Sequence, residues 1–228
     1  MDIEIIGKNE HNYPKEFTMY LGSNCPGSLY YIGDISLLGC SSILVCGARN
    51  ASETGCELAY KCGRLIAEQG YTVISGYARG IDSYAHLGAL EAGGTTVAIL
   101  PYGLSKFKLN QRMAEVYTPN QMLVVSEVPH YVGFSVQSAM RRNKLLVASA
   151  CAVIVVEPGE GGGTWYTAKK AKEMGKPLYF LEGVRPEIIP SMKEMGGKRI
   201  IVKKGAPNLK RIYCTLGAKV AEKKLVDI

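Results

Sequence analysis

Short, unbroken apolar runs constrain this chain more than any other feature. They occupy 43–46, 71–74, 96–100, 123–125, 152–156 and 177–181, and each has the length of a strand. Strands that are apolar throughout, rather than alternating with polar residues, suit a parallel sheet covered on both faces. Between them lie longer segments, 53–69, 81–92, 136–150 and 164–174, in which apolar residues return at the three- and four-residue spacing of an amphipathic helix. Alternation of strand and helix is how a parallel sheet is connected, so the expected class is α/β, with a doubly wound, mostly parallel sheet.

Residues 1–40 lack this rhythm and carry Tyr13-Pro14 and Cys25-Pro26-Gly27, which reads as an irregular or partly helical lead-in packed on a core of residues 41–228. Within that core, the stretch beyond Gly183 suggests one more strand near 199–202 and a short helix as a C-terminal extension. At 228 residues the chain can bury one sizeable core. Its formal charge of +7 favours an anionic partner. The opening MDIEIIGKNEH reads as neither a secretory signal nor a membrane anchor, and no run approaches spanning length. Seven cysteines, without a C-x-x-C pair, read as reduced thiols of a cytoplasmic protein that does not engage a membrane.

In an open parallel sheet, ligands bind beyond the carboxyl ends of the strands, where helix N-termini present free amides. The exits here are 47–50, 75–82, 101–103, 126–129 and 157–164, and glycine gathers in them. Glycine lets an anion approach the backbone, and arginine adds a forked donor suited to phosphate oxygens. Arg49 and Arg79 are both placed at such exits, although each could instead brace its loop against Asp82 or Glu127. Arg141-Arg142-Asn143-Lys144 is the densest basic cluster of the core and falls inside an expected helix, so at most two of the four can face one ligand.

His86 follows Asp82 by one helical turn, and a local Asp–His pair is its simplest account. No nucleophile accompanies it, and the three histidines fall in unrelated segments, so neither a catalytic constellation nor a zinc site is expected. Aromatic residues near the exits include Tyr77, Phe134 and Trp165, on which unstacked bases could rest.

These residues also resemble a known family. The string SGYARGIDSYAHLGALEAGGTTVAIL is similar to the signature of the DprA/Smf (DNA-processing protein A) family, and CGARNAS, SEVP, MRRNKLLVAS and VIVVEPGEGGGTWYTAKKA resemble its further motifs in order. The resemblance implies an extended Rossmann-like domain that binds single-stranded DNA, forms a homodimer and loads the RecA recombinase during DNA uptake, with no cofactor and no catalysis. Carried over by position, the DNA-contacting residues would be Arg49, Ser75, Gly76, Arg79, Gly80, Arg142, Asn143 and Lys144. The glycine loop Gly161, Gly162, Gly163 and Thr164 would add phosphate contacts.

Three departures stand out. Ala139-Met140 replace the Phe-Pro that commonly precedes the arginines, leaving base stacking at that point to Phe134. Lys144 replaces an arginine, trading a planar fork for a point charge. The additional helical and winged-helix domains of many relatives are not expected in this length. Two other readings remain open: a LOG-like nucleoside-monophosphate phosphoribohydrolase, whose usual glutamate is here Thr167, and a nucleotide-sensing Rossmann-like module. A dinucleotide oxidoreductase is disfavoured because 47–52 lacks the G-x-G-x-x-G turn.

Overall fold

The apolar runs become the central strands of a nine-stranded sheet. The computed structural model describes residues 2–39, 41–118, 120–159 and 161–217. Its elements are, in chain order, β1 (Glu4–Gly7), α1 (Lys15–Leu21), β2 (Ser28–Ile32), β3 (Ser42–Cys46), α2 (Glu53–Glu68), β4 (Thr72–Ser75), α3 (Ile81–Glu91), β5 (Thr96–Leu100), α4 (Gln111–Val116), β6 (Met122–Ser126), α5 (Val136–Ser149), β7 (Ala152–Val155), α6 (Gly163–Glu173), β8 (Leu178–Leu181), α7 (Ile189–Glu194), β9 (Lys198–Ile200), β10 (Val202–Lys203), β11 (Ala206–Pro207) and α8 (Lys210–Thr215). The strand order is β1-β2-β6-β5-β4-β3-β7-β8-β9. From β6 to β9 every neighbouring pair is parallel. The fold is therefore the doubly wound α/β arrangement expected from the apolar runs.

Successive side chains of a strand face opposite layers, and the two halves of the core divide accordingly. Ile43, Val45, Val73 and Ile154 pack with α2, α3 and α8, while Leu44, Ile74, Val97 and Val153 pack with α1, α5, α6 and α7. Helices α2 and α3 meet backbone to backbone. A Cβ on Gly63 would stand 2.0 Å from the Ala85 carbonyl oxygen, and one on Gly88 would stand 2.1 Å from that of Tyr60. Only glycine at both places allows this approach.

The lead-in is partly helical, as expected, in α1, but it also supplies two strands that were not expected, β1 and β2, joined antiparallel to each other, with β2 antiparallel to β6. Of the five residues of β2 only Leu29 is buried, so the strand has no continuous apolar run to reveal it. Beneath it Phe17 is fully buried, and the Tyr13 hydroxyl donates to the Pro26 carbonyl at 2.6 Å. At the other end β9 extends the sheet beside β8, β10 and β11 form a small hairpin, and the Tyr213 ring of α8 stacks on Tyr71 at 5.8 Å. The final residues of the expected C-terminal extension, 218–228, lie outside the described residues. Cys25, Cys46, Cys56, Cys62, Cys151 and Cys214 are free thiols, and Cys40 also lies outside the described set. Among the described residues no helix is long and apolar enough to cross a membrane.

Candidate functional site

The chain winds outward from β3 through β4 and β5 to β6, then returns to place β7 on the other flank of β3. The connections leaving β3 and β7 diverge to opposite faces, and a crevice opens between them, as at the switch point of other doubly wound sheets. It measures about 740 Å³ and is walled by the β3 exit (Gly47, Arg49, Asn50), the glycine loop after β7 and one stripe of α5. Val136, Ala139, Met140, Asn143 and Leu146 line it at helical spacing. A reciprocal cap fixes that stripe: Ser135 Oγ accepts from the Ser138 amide, and Ser138 Oγ accepts from the Ser135 amide. Ser138 also donates to the Pro101 carbonyl at 2.7 Å, which ties the first turn of α5 to the end of β5.

One turn beyond Ser138, Arg142 reaches beneath the crevice and is only 6% exposed. Its Nη1 donates to the Ile99 carbonyl at 3.3 Å, and its Nε has no hydrogen-bond partner among the described residues. Gly76 makes the space, since a Cβ there would stand 1.4 Å from Arg142 Nη1. Asp82 stands on the same side of Gly76, its Oδ2 2.9 Å from that Cβ position, and accepts the Gly76 and Ala78 amides at 3.2 and 3.3 Å. Burial raises the Asp82 pKa against the opposing pull of the Arg142 charge and these amides. Burial likewise lowers the Arg142 pKa, with Asp82 opposing and the Arg49 charge adding to the fall.

Of the helix N-termini at this end of the sheet, those of α2 and α6 follow the two strands that flank the crevice, and they differ. At α2 the seat is taken: Glu157 accepts from the Ser52 amide at 3.1 Å and from its hydroxyl at 2.7 Å, while Ser52 Oγ accepts from the Gly55 amide. At α6, no side chain among the described residues caps the first turn. Gly161 and Gly162, with φ of +70° and +83°, turn the chain into that helix, and Thr164 Oγ1 donates to the Gly47 carbonyl to hold the loop against β3. Free amides at such an end attract an anion.

A family model described as DNA recombination-mediator protein A matches residues 4–215. The chain belongs to that family. It is 30% identical over 182 residues to protein Smf of Escherichia coli, covering 77% of this chain and 49% of that one. The X-ray structure of DNA processing protein A from Streptococcus pneumoniae superposes with a TM-score of 0.75 at 26% identity, covering 88% of this chain and 71% of the other. DNA processing protein A from Helicobacter pylori, a structure concerned with its single-stranded DNA binding mode, gives a TM-score of 0.76 at 23% identity over 95% and 96% of the two chains. This chain spans about half the length of the curated relatives it matches.

The residues carried over from the recombination-mediator family separate into groups. Arg49, Arg142, Asn143, Gly161, Gly162, Gly163, Thr164 and Phe134 line the crevice. Asn143 also donates to the Gly163 carbonyl at 3.3 Å, joining α5 to the glycine loop. Arg79 sits at the rim, where its Nη2 donates to Asn50 Oδ1 at 3.0 Å. Among the described residues neither Arg49 nor Arg79 is ion-paired, so the carboxylate bracing considered for them is not formed. Glu127 pairs with Arg141 instead, at 2.9 Å.

Others lie beneath or away from the crevice. Ser75 is fully buried and its hydroxyl donates to the Val45 carbonyl, so it cannot touch a ligand directly. Gly76 is buried with its amide on Asp82, and Gly80 packs against the Ala48 and Arg49 carbonyls, where a Cβ would stand 2.5 Å from the first. Lys144 is half-exposed on α5 near the charges of Glu127 and Glu173, outside the crevice.

Neither the Tyr77 nor the Trp165 ring is placed in the crevice. The Tyr77 ring packs on His86 and Phe107, and its hydroxyl accepts the Asn110 amide at 2.7 Å. Trp165 donates to the Gly159 carbonyl and lines a separate groove with Tyr166 and Met195. The expected Asp82–His86 pair is also replaced, since His86 Nδ1 is hydrogen-bonded to Thr96 Oγ1 at 2.6 Å.

Asn50 and Glu157 were not singled out from sequence. Glu157 meets Ser52 across 105 residues of chain through the β3–β7 pairing, which no local sequence pattern reveals.

Proposed function

We propose that the crevice holds the sugar-phosphate backbone of single-stranded DNA and that the chain acts as a recombination mediator without cleaving a bond. The observation that carries this reading is the crevice lining, which brings the Arg142 and Arg49 guanidinium groups together with the open end of α6. Cation and free amides converge where a phosphate would sit, and Phe134, 54% exposed on the same wall, can take a base. Family membership and the strand-binding relative from Helicobacter pylori support the same reading. RecA as recipient of the strand, a homodimer as the working form and a cytoplasmic place of action belong to it and rest on the family alone.

A LOG-like hydrolase is less well supported, because Thr167 stands where the carboxylate is needed and its hydroxyl is committed to the Gly163 carbonyl at 2.8 Å. Titration with oligo-dT across salt concentrations, beside a duplex of equal length, tests the proposal. The expected result is preference for the single strand and an affinity that falls linearly on logarithmic axes as salt rises. Arg49→Ala should flatten that slope by about 0.7, and Arg142→Lys, which keeps charge but not the fork, should weaken binding by about tenfold. Equal affinity for duplex, indifference to salt, or release of free base from nucleoside monophosphates overturns it.

A further inference from the structure

Arg79 separates the crevice from a second, smaller hollow on the α3–α4 side. While its Nη2 reaches Asn50 on the crevice rim, its side chain also lines the hollow together with Ser83, Tyr84, Asn110 and Arg112, above Met113. The hollow thus gathers two guanidinium groups, and none of the residues lining it is acidic. Arg112 is exposed in the first turn of α4, with its guanidinium carbon 5.9 Å from the centroid of the Tyr84 ring. Contact with an aromatic face holds such a cation in place while leaving its donors free. Among the described residues neither arginine is ion-paired. Two like charges in one concavity repel unless an anion comes between them, and a chain of linked phosphates is such an anion.

We propose that a strand bound in the crevice leaves it over Arg79 and continues into this hollow, where Arg112 contacts a further phosphate. This inference rests on the single-strand reading above. It gives Arg79 a bridging role between two stretches of backbone, and it makes Arg112 matter only for strands long enough to extend past the rim.

The test compares oligo-dT of about 3 nucleotides with oligo-dT of about 16, using the full chain and the variants Arg112→Ala, Arg112→Lys and Arg49→Ala. Arg112→Ala should weaken binding of the long oligonucleotide by about fivefold and lower its salt slope by about 0.7, while leaving the short one unchanged. Arg112→Lys should recover most of the slope, and Arg49→Ala should weaken both lengths. Arg112 is exposed, so matched thermal melts are expected for its variants. Equal effects of Arg112→Ala on both lengths, or no effect on the long one while wild type binds it, overturn the path proposed here and leave the crevice reading intact. Failure of wild type to bind either length overturns both.

Discussion

Burying a guanidinium is unfavourable unless its donors are met, and Arg142 is buried with its Nε unmet among the described residues. Gly76 and Asp82 make that burial tolerable, the first by leaving room and the second by supplying a nearby negative charge. His86 shares this interior and responds to it. Burial, reinforced by the Arg142 charge, lowers its pKa from 6.5 to about 3. In the folded protein the ring therefore stays neutral, whereas in the unfolded chain it takes up a proton as pH falls through 6.5. The unfolded state then binds more protons, so stability present above pH 6.5 is lost on acidification toward about 3. The limiting slope is about 1.4 kcal/mol per pH unit. Asp82 acts with the opposite sign: its raised pKa lets the folded state bind a proton first, which offsets part of the loss at lower pH. Denaturant unfolding should show a flatter decline for His86→Gln than for wild type between pH 6.5 and about 5; matching slopes would refute this assignment. The His86 partner was not legible in sequence because spacing along a helix sees only local neighbours, and Thr96 lies on β5.

At the scale of elements, the buried parallel strands and the four longer helices could be read directly, since continuous apolar runs and helical periodicity survive in the primary structure. The α2–α3 contact could not be, because Gly63 and Gly88 look like ordinary helix-weakening residues until their neighbours are known. Gly63→Ala would drive a Cβ to 2.0 Å from the Ala85 oxygen and force the helices apart. A loss of about 1–3 kcal/mol is expected, measured by equilibrium unfolding. Glycine and arginine at strand exits have a physical use there, which is what marks Arg49 and the glycine loop as candidates, whereas Arg142, inside α5, is singled out only by the family resemblance. Tyr77 and Trp165 misled for a complementary reason. Sequence places a ring near an exit without saying which way it turns, and both turn away from the crevice.

For the whole molecule, the antiparallel lead-in is the feature with the largest effect on integrity. Removing residues 2–39 would strip β2 from β6 and uncover the surface against which Phe17 and Leu29 are fully buried. An open edge beside exposed apolar side chains invites association. The truncated chain is expected to elute as aggregate in size-exclusion chromatography and to lose cooperative melting, whereas a monodisperse, cooperatively melting product would show that the remainder is self-sufficient.

The Glu157 carboxylate bears on which visitors the molecule can admit. In doubly wound proteins that take NAD-like guests, the amides opening the first crossover helix cradle the diphosphate. Here the polypeptide lodges its own anion in the corresponding berth, at α2. A dinucleotide would have to evict it, whereas the neighbouring start of α6, on the wall of the same crevice, carries no such occupant among the described residues.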